Sequence, residues 1–361
     1  MKIPSVQKQL ETQQCISIVF VVILSFLIVS CSNNKISVIG MEFTDTCNVT
    51  FLDTLPVVLE DYGFSIYDTE MGFITGKEEN NNYIQLWSKD TGEKIFGFGS
   101  IGRGPNEFIM PFCTDVDYTK GIIYILDLVS SNMHKYRLLR DTVELIESFV
   151  VPQMTGGSLI SFLDDSTFVY MALDGAIPKL VLYNRFHGKI SECEDNILNQ
   201  GTFNNISAIY RSSISVSQQK KKVILLCHEL NAISCFSIQN NTISLDWRKF
   251  LVAPKYEISN GELVINHNQL DKGLIGDCHV TDSFIYLLVY DAKKQDLPIL
   301  DFENNLHKLE HSYIVKINFY GEVIKSYKIK CAPLYMVNSQ DDESKTVLIN
   351  FPNYNLLNLK L

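Results

Sequence analysis

An internal repeat constrains the fold of this chain more than any other feature of its sequence. Six copies each place a short apolar strand before a companion strand, and in the first five a turn and a further strand follow. Several turns carry Asn, Asp or Gly, which tolerate positive φ and so favour hairpins. The apolar strands are 72–75, 121–127, 167–172, 222–226, 284–289 and 346–349.

The length of the repeat selects among the repeating folds. A period of about 55 residues suits four short strands and their loops, which is one blade of a β-propeller. Solenoid repeats are usually shorter and need capping repeats, and a two-sheet sandwich would not repeat so regularly. The sequence therefore predicts an all-β, six-bladed β-propeller. Because the last copy stops at its third strand, we expect the segment 42–52 to supply the missing outer strand and close the ring.

The first thirty residues have the pattern of an export signal. An apolar run at 16–29 is shorter than the roughly 20 residues of a membrane-spanning helix. It ends in Leu-Ile-Val-Ser-Cys at 27–31, which resembles the lipobox of bacterial lipoproteins. That resemblance implies cleavage before Cys31 and lipidation of Cys31; an ordinary secretory signal and a single-pass anchor are the alternatives. We expect a signal peptide at 1–30, a lipidated linker at 31–41 and a propeller domain at 42–361.

The expected lipid makes the membrane one partner of the chain. The linker after Cys31 carries no acidic residue, whereas surface-exported lipoproteins of Bacteroidetes often have an acidic cluster there. We therefore expect anchoring to the outer membrane with the domain facing the periplasm. The formal net charge of −10 disfavours nucleic acid as a partner, because a polyanion would be repelled.

The cysteines indicate packing rather than redox or zinc chemistry. Of the nine, Cys15 leaves with the signal and Cys31 is lipidated, so an odd number remains, and no CxxC motif occurs. A disulfide between Cys227 and Cys235, which flank a predicted turn, stays open as one pairing. Most of the remaining thiols are expected to be small buried side chains.

A glycine-rich segment at 97–108, with the sequence GFGSIGRGPNEF, separates the first two copies. It opens as GxGxxG, but Pro105 and Pro111 forbid the helix that a dinucleotide site requires. Together with Asp117 and the strand at 121–127, the segment resembles NHL-like and TolB-like six-bladed propeller lipoproteins of Bacteroidetes. The resemblance is specific over about 97–136. Over the rest of the mature chain it is limited to the regular spacing of the repeats. It implies the fold and an envelope location, and it brings no assigned chemistry.

The order of strands predicts which face of the domain binds. With the strands of a blade called A to D from the inside outward, the D-to-A and B-to-C connections share one face, here called the crossing face. The glycine-rich segment lies on it, and so by this count do two insertions, at 252–272 and 292–309. Functional side chains concentrate in loops on a rigid scaffold, so the crossing face is the predicted binding surface.

The candidate binding residues on the crossing face are polar or ionisable. Arg103 and Glu107 are expected either to form an ion pair that holds the crossing or to point to a ligand. The histidines of the insertions would add to a mixed-charge rim. The full set is Arg103, Asn106, Glu107, His267, His307 and His311.

No signature of catalysis or of a bound cofactor stands out. Histidines at one mouth, or His279 on a predicted inner strand, could ligate zinc as in some propeller lyases, but no HxxH or HExxH spacing occurs. Asp115 and Asp117 are expected on one face of a strand, and GxSxG and GxxxxGK[ST] motifs are missing. We therefore predict a non-enzymatic envelope scaffold, without a cofactor or metal, that binds a protein, peptide or glycan. The alternative is a metal-dependent hydrolase or lyase acting at the channel mouth.

Overall fold

The computed structural model describes most of the chain between residues 45 and 360, and nearly all of the secondary structure in this part is β-strand. The chain is therefore all-β, as predicted. None of the helices in the described part is long and apolar enough to cross a membrane. Within 45–360, the residues outside the description are 47–48, 52–65, 80–81, 89–92, 105–106, 153–159, 175–176, 196, 199–202, 211, 266–272, 291, 293–307, 339–344 and 351–355.

Two short strands, β1 (Asp45–Thr46) and β2 (Val49–Phe51), precede the repeats, and antiparallel sheets then follow one another along the chain. Within each sheet, strands that are consecutive in sequence are hydrogen-bonded neighbours. Sheet 1 contains β3 (Ile66–Asp68), β4 (Phe73–Glu79), β5 (Asn82–Trp87) and β6 (Lys94–Phe98). A short parallel pair, β7 (Ser100–Ile101) and β8 (Glu107–Phe108), leads to the next sheet. Sheet 2 contains β9 (Pro111–Asp117), β10 (Ile122–Asp127), β11 (Asn132–Leu138) and β12 (Val143–Val150).

The middle of the chain continues the same order. Sheet 3 contains β13 (Ser161–Phe162), β14 (Thr167–Asp174), β15 (Ile177–Asn184) and β16 (Gly188–Glu194). A one-turn helix, α1 (Ile206–Ile209), precedes sheet 4. Sheet 4 contains β17 (Ser212–Ser217), β18 (Lys222–Cys227), β19 (Ala232–Gln239) and β20 (Thr242–Phe250).

The last part of the chain holds a hairpin and two further sheets. The hairpin consists of β21 (Tyr256–Ser259) and β22 (Glu262–Ile265). Sheet 5 contains β23 (Leu274–Val280), β24 (Ile285–Tyr290), β25 (Ser312–Ile317) and β26 (Val323–Ile329). Sheet 6 contains β27 (Pro333–Asn338), β28 (Lys345–Asn350) and β29 (Leu356–Lys360).

The two N-terminal strands complete the sheets at the other end of the chain. Strand β2 pairs antiparallel with β29, with Val49 opposite Leu359, and so becomes the fourth strand of sheet 6. Strand β1 pairs in parallel with β26, with Asp45 opposite Tyr327, as a fifth strand of sheet 5. The predicted outer strand in 42–52 is thus present, and the additional strand on sheet 5 was not foreseen.

Burial on both faces explains the apolar run of β10, the second strand of sheet 2. All six residues of β10 are buried. Ile123 and Ile125 pack in a cluster with side chains of sheet 1, whereas Tyr124 and Leu126 pack with side chains of sheet 3. Each such side chain contributes about 1.5–3 kcal/mol through its removal from water. A strand between two neighbouring sheets therefore has no polar face.

The cysteines in the described part of the chain are free thiols. Cys227 lies opposite Ala232 and Cys235 lies opposite Ile224, so the two thiols are not cross-strand neighbours, and the disulfide left open by the sequence does not form. Both side chains are buried, which raises the pKa of each thiol to about 12. They behave as small apolar side chains.

Candidate functional site

The glycine-rich segment crosses between two sheets. It connects β6, the fourth strand of sheet 1, with β9, the first strand of sheet 2, and contains no helix in its described residues. The amide of Gly102 donates to the carbonyl of Phe108 across the β7–β8 pair (2.9 Å). Gly99 has a φ of +81°, and a Cβ there would lie 2.8 Å from the buried ring of Phe108. Glycine is thus required for the chain to turn tightly over that ring.

One carboxylate fixes the end of the crossing. Asp127, at the end of β10, accepts hydrogen bonds from the amides of Ile109 (3.2 Å), Met110 (3.1 Å) and Val129 (3.2 Å). Burial alone would raise the pKa of Asp127, but these donors together hold it below its ordinary value. Asp127 therefore joins the D-to-A crossing to the B-to-C turn of sheet 2 on one face.

Apolar side chains project from this anchored crossing into solvent. Four large apolar side chains lie on the crossing, on the turn after β10 that Asp127 joins to it, and on the adjoining β7. We call these four side chains the apolar patch. A group of exposed apolar side chains in one region of the surface is typical of an interaction site. The members of the apolar patch are Ile101 (51% exposed), Ile109 (39%), Met110 (48%) and Val129 (59%).

Three of the six candidate binding residues lie in the described part of the chain. Arg103 and Glu107 are exposed beside the apolar patch, but no ion pair joins these two described side chains. The Glu107 carboxylate instead accepts a hydrogen bond from the amide of Gly104 (2.6 Å). Of the two expected roles the ion pair is therefore wrong: the carboxylate of Glu107 accepts from the backbone, and no ion pair within the described residues involves the guanidinium of Arg103.

His311 lies just before β25 in sheet 5, half-buried, with its Nε2 4.0 Å from the exposed Glu310 carboxylate. No hydrogen bond or ion pair between described residues connects it with Arg103 or Glu107. Asn106, His267 and His307 fall outside the described residues, as does Cys31. The first insertion lies between β20 and β23 and the second between β24 and β25, so the strand count that assigned them to D-to-A and B-to-C connections is correct.

A second feature, which the sequence did not single out, is a cavity of about 410 Å³ enclosed by the first strands of the sheets. We call it the first-strand cavity. Its wall includes residues of β3, β9, β13, β17, β23 and β27, one strand from each sheet. Its volume lies in the range of small-molecule sites. Its wall also includes residues just after β9, β17 and β23. These residues belong to A-to-B connections, which lie at the opposite end of the first strands from the glycine-rich crossing.

Two equivalent aspartates connect neighbouring first strands in the cavity wall. Asp115 on β9 accepts hydrogen bonds from the amides of Phe162 on β13 (2.5 Å) and of Val116 (2.8 Å). Asp277 on β23 accepts from the amides of Met336 on β27 (2.9 Å) and of its own neighbour Cys278 (2.8 Å). Each aspartate comes directly after a register shift against the second strand of its sheet. The bulge turns the carboxylate towards the next sheet.

Poor solvation of these two aspartates alters their acidity. Desolvation raises the pKa of Asp115 and of Asp277 to about 6 each, and the amide donors oppose this only in part. Part of each side chain still faces the cavity. At neutral pH the wall therefore carries two ionised carboxylates in a poorly solvated setting.

Two histidines complete the polar part of the wall. Nε2 of His228 lies 3.1 Å from the Ser213 hydroxyl. Nε2 of His279, on β23 as predicted, is buried without a hydrogen-bond partner, and desolvation lowers the pKa of this imidazole to about 4. Among the residues that the structure describes, no three His, Cys, Asp or Glu side chains come together to hold a metal ion. His279 is thus a neutral imidazole in an acidic cavity.

Comparison with known proteins shows the fold alone. No protein-family model matches the chain, and no curated protein matches its sequence. A DUF4221-family member from Bacteroides vulgatus has a similar structure, with a TM-score of 0.53, 9% identity, and coverage of 88% of this chain and 98% of that one. A "putative exported protein" from Bacteroides fragilis gives a TM-score of 0.54 at 13% identity, covering 90% of this chain and 98% of that one.

Proposed function

We propose that the six sheets are the blades of a six-bladed β-propeller, closed by β2, and that this propeller is a non-enzymatic binding scaffold of the cell envelope. The ring is supported by contacts between the first strands of consecutive sheets, and β27 of sheet 6 also contacts β3 of sheet 1. The pairing of β2 with β29 joins the two ends of the chain within one sheet. The first-strand cavity then lies along the axis of the ring.

Binding takes place on the crossing face, and its partner is a protein or peptide with an apolar contact surface. The observation that carries this proposal is the apolar patch, held by Asp127 and bordered by exposed Arg103 and Glu107. Apolar centres with charged rims are typical of protein interfaces. A glycan partner, the other expectation from the sequence, would favour exposed aromatic and hydroxyl groups instead.

Site-specific photo-crosslinking tests this proposal. A photoreactive phenylalanine analogue at Val129 should give a discrete adduct in envelope extracts, and Met110→Asp should abolish that adduct because a charge would be buried in the interface. The same analogue at Tyr320 is the control. Tyr320 is 83% exposed and lies in a connection between β25 and β26, on the face opposite the crossing. Equal adducts from both positions, or an adduct insensitive to Met110→Asp, would refute binding through the crossing face.

The envelope location is tested at the expected lipidation site. The wild-type chain expressed in a diderm bacterium should partition with membranes and label with radioactive palmitate, because two or more acyl chains give stable anchoring. The Cys31→Ala variant should remain unprocessed at this position and unlabelled. A mature N-terminus at another residue, read by mass spectrometry, would contradict the lipoprotein assignment. The "exported" name of the Bacteroides fragilis protein agrees with this location.

A further inference from the structure

The first-strand cavity has an unbalanced charge. Five aspartates line it, whereas no Lys or Arg side chain occurs among its described wall residues. The Asp117 carboxylate is paired with Lys120 (2.7 Å), which lies in the turn outside the wall. The members of the acidic set are Asp68, Asp115, Asp117, Asp277 and Asp282.

Three of these carboxylates have no cationic partner among the described residues. Asp115 and Asp277 accept hydrogen bonds from backbone amides in the poorly solvated wall, whereas Asp282 is exposed at its edge and accepts one from the Ser217 hydroxyl (3.0 Å). Buried carboxylates in proteins are usually compensated by a cation or shift to the neutral form. A cation that enters the cavity would supply the missing compensation.

The wall also offers groups that favour an organic cation. The neutral His279 has a buried, unpartnered Nε2 and lies two residues from Asp277, on the same side of β23. A neutral imidazole adds no positive charge that would oppose a cation in the cavity. Tyr67, Tyr118 and Tyr335 line the same cavity, and aromatic faces attract ammonium groups.

The positions of the two equivalent aspartates indicate the shape of the ligand. Asp115 belongs to sheet 2 and Asp277 to sheet 5, which are three sheets apart and therefore opposite each other in the proposed six-membered ring. We propose that the first-strand cavity binds a small organic dication, whose two ammonium groups reach Asp115 and Asp277 on opposite walls. This inference uses the ring order of the proposed fold and is independent of binding on the crossing face.

A series of α,ω-diamines measures the site directly. Isothermal titration of the mature domain at pH 7.5 and low salt, with diaminoethane through diaminoheptane, should give an affinity maximum at one chain length. Butylamine, with one charge, should bind at least about tenfold more weakly than the best diamine, because it meets only one wall. A diamine affinity that does not depend on chain length would overturn the proposal. So would an affinity for butylamine equal to that for the best diamine. Tighter binding of calcium chloride than of every diamine would also overturn it.

Matched variants separate the site from general charge effects. Asp115→Asn and Asp277→Asn should each weaken the binding of the best diamine at least about tenfold. Asp282→Asn leaves both connections between first strands intact and should weaken the binding of this diamine about threefold. Asp141→Asn, an exposed change of the same charge in the turn before β12, should leave binding unchanged. Unchanged binding in all three cavity variants would refute the site. Failure of the diamines would leave the crosslinking result at Val129 unaffected, so the two proposals can fail separately.

Discussion

Arg248→Met should destabilise the domain by about 3–5 kcal/mol, because it leaves a buried carboxylate without its cation. Asp195, just after β16 of sheet 3, is fully buried, and its Oδ1 accepts from the Arg248 guanidinium on β20 of sheet 4. Its Oδ2 has no hydrogen-bond partner in the described structure. Denaturant unfolding at pH 7 should show the loss as a lower midpoint with an unchanged slope.

The pH dependence of this variant distinguishes charge from packing. Desolvation raises the pKa of Asp195 to about 6, against the opposing effect of Arg248, so removing the cation moves it further up. The pKa of Asp195 in the folded state is higher than its value of about 3.9 in the unfolded chain. Its ionisation therefore lowers the stability at a pH above the folded-state pKa and has no effect at a pH below the unfolded-state pKa. The deficit of Arg248→Met should therefore shrink as the pH falls from 7 towards 4. Adding Asp195→Asn should recover at least half of the loss at pH 7, and a deficit independent of pH would contradict the assignment.

Deleting residues 42–52 should cause concentration-dependent aggregation and lower the free energy of unfolding by roughly 3–5 kcal/mol, given about 1 kcal/mol for each lost ladder hydrogen bond. The deletion removes β1 and β2 together, and so exposes the edge strands β26 and β29. Unpaired edges of this kind pair readily with other chains. Light scattering and thermal unfolding measure the two effects.

Two controls assign the effect to the strands. A chain that lacks only the linker 31–41 should remain monomeric with an unchanged midpoint, since both strands remain. Thr50→Pro, in the middle of β2, should give an intermediate loss because proline cannot donate to the ladder. A deletion variant as stable and monomeric as the control would show that the N-terminal strands do not complete the sheets.

Particular residues show how far the sequence could lead. The apolar run at 121–127 and the turn residues after it were enough to predict a buried strand, and β10 lies there with its six residues buried. The strand count that located the two insertions was correct, because antiparallel neighbours alternate in direction. The same reasoning expected Arg103 and Glu107 either to pair or to face a ligand, but in the structure the backbone amide of Gly104 donates to the Glu107 carboxylate.

The first-strand cavity shows what sequence reasoning missed. The sequence singles out Asp115 because a second aspartate follows it two residues later, whereas Asp277 has no such neighbour. Nothing in the sequence around either residue shows that the two aspartates have the same position in their sheets. Their common signal is a bulge against the second strand, which depends on the register between strands. Register is set by pairing partners that are distant in the sequence, so no local pattern reveals it.

The sequence by itself determined the strands of the repeats and their order, because alternation, burial on two faces and turn chemistry act between near neighbours in the chain. Only the tertiary structure decided which side chains meet: β2 with β29, Asp195 with Arg248, and Asp115 with the amide of Phe162. These contacts join residues 47 or more positions apart in the chain, and they depend on how the sheets pack rather than on the propensity of any segment. Periodicity fixes the elements, and the packing of sheet against sheet creates the cavity and the crossing face.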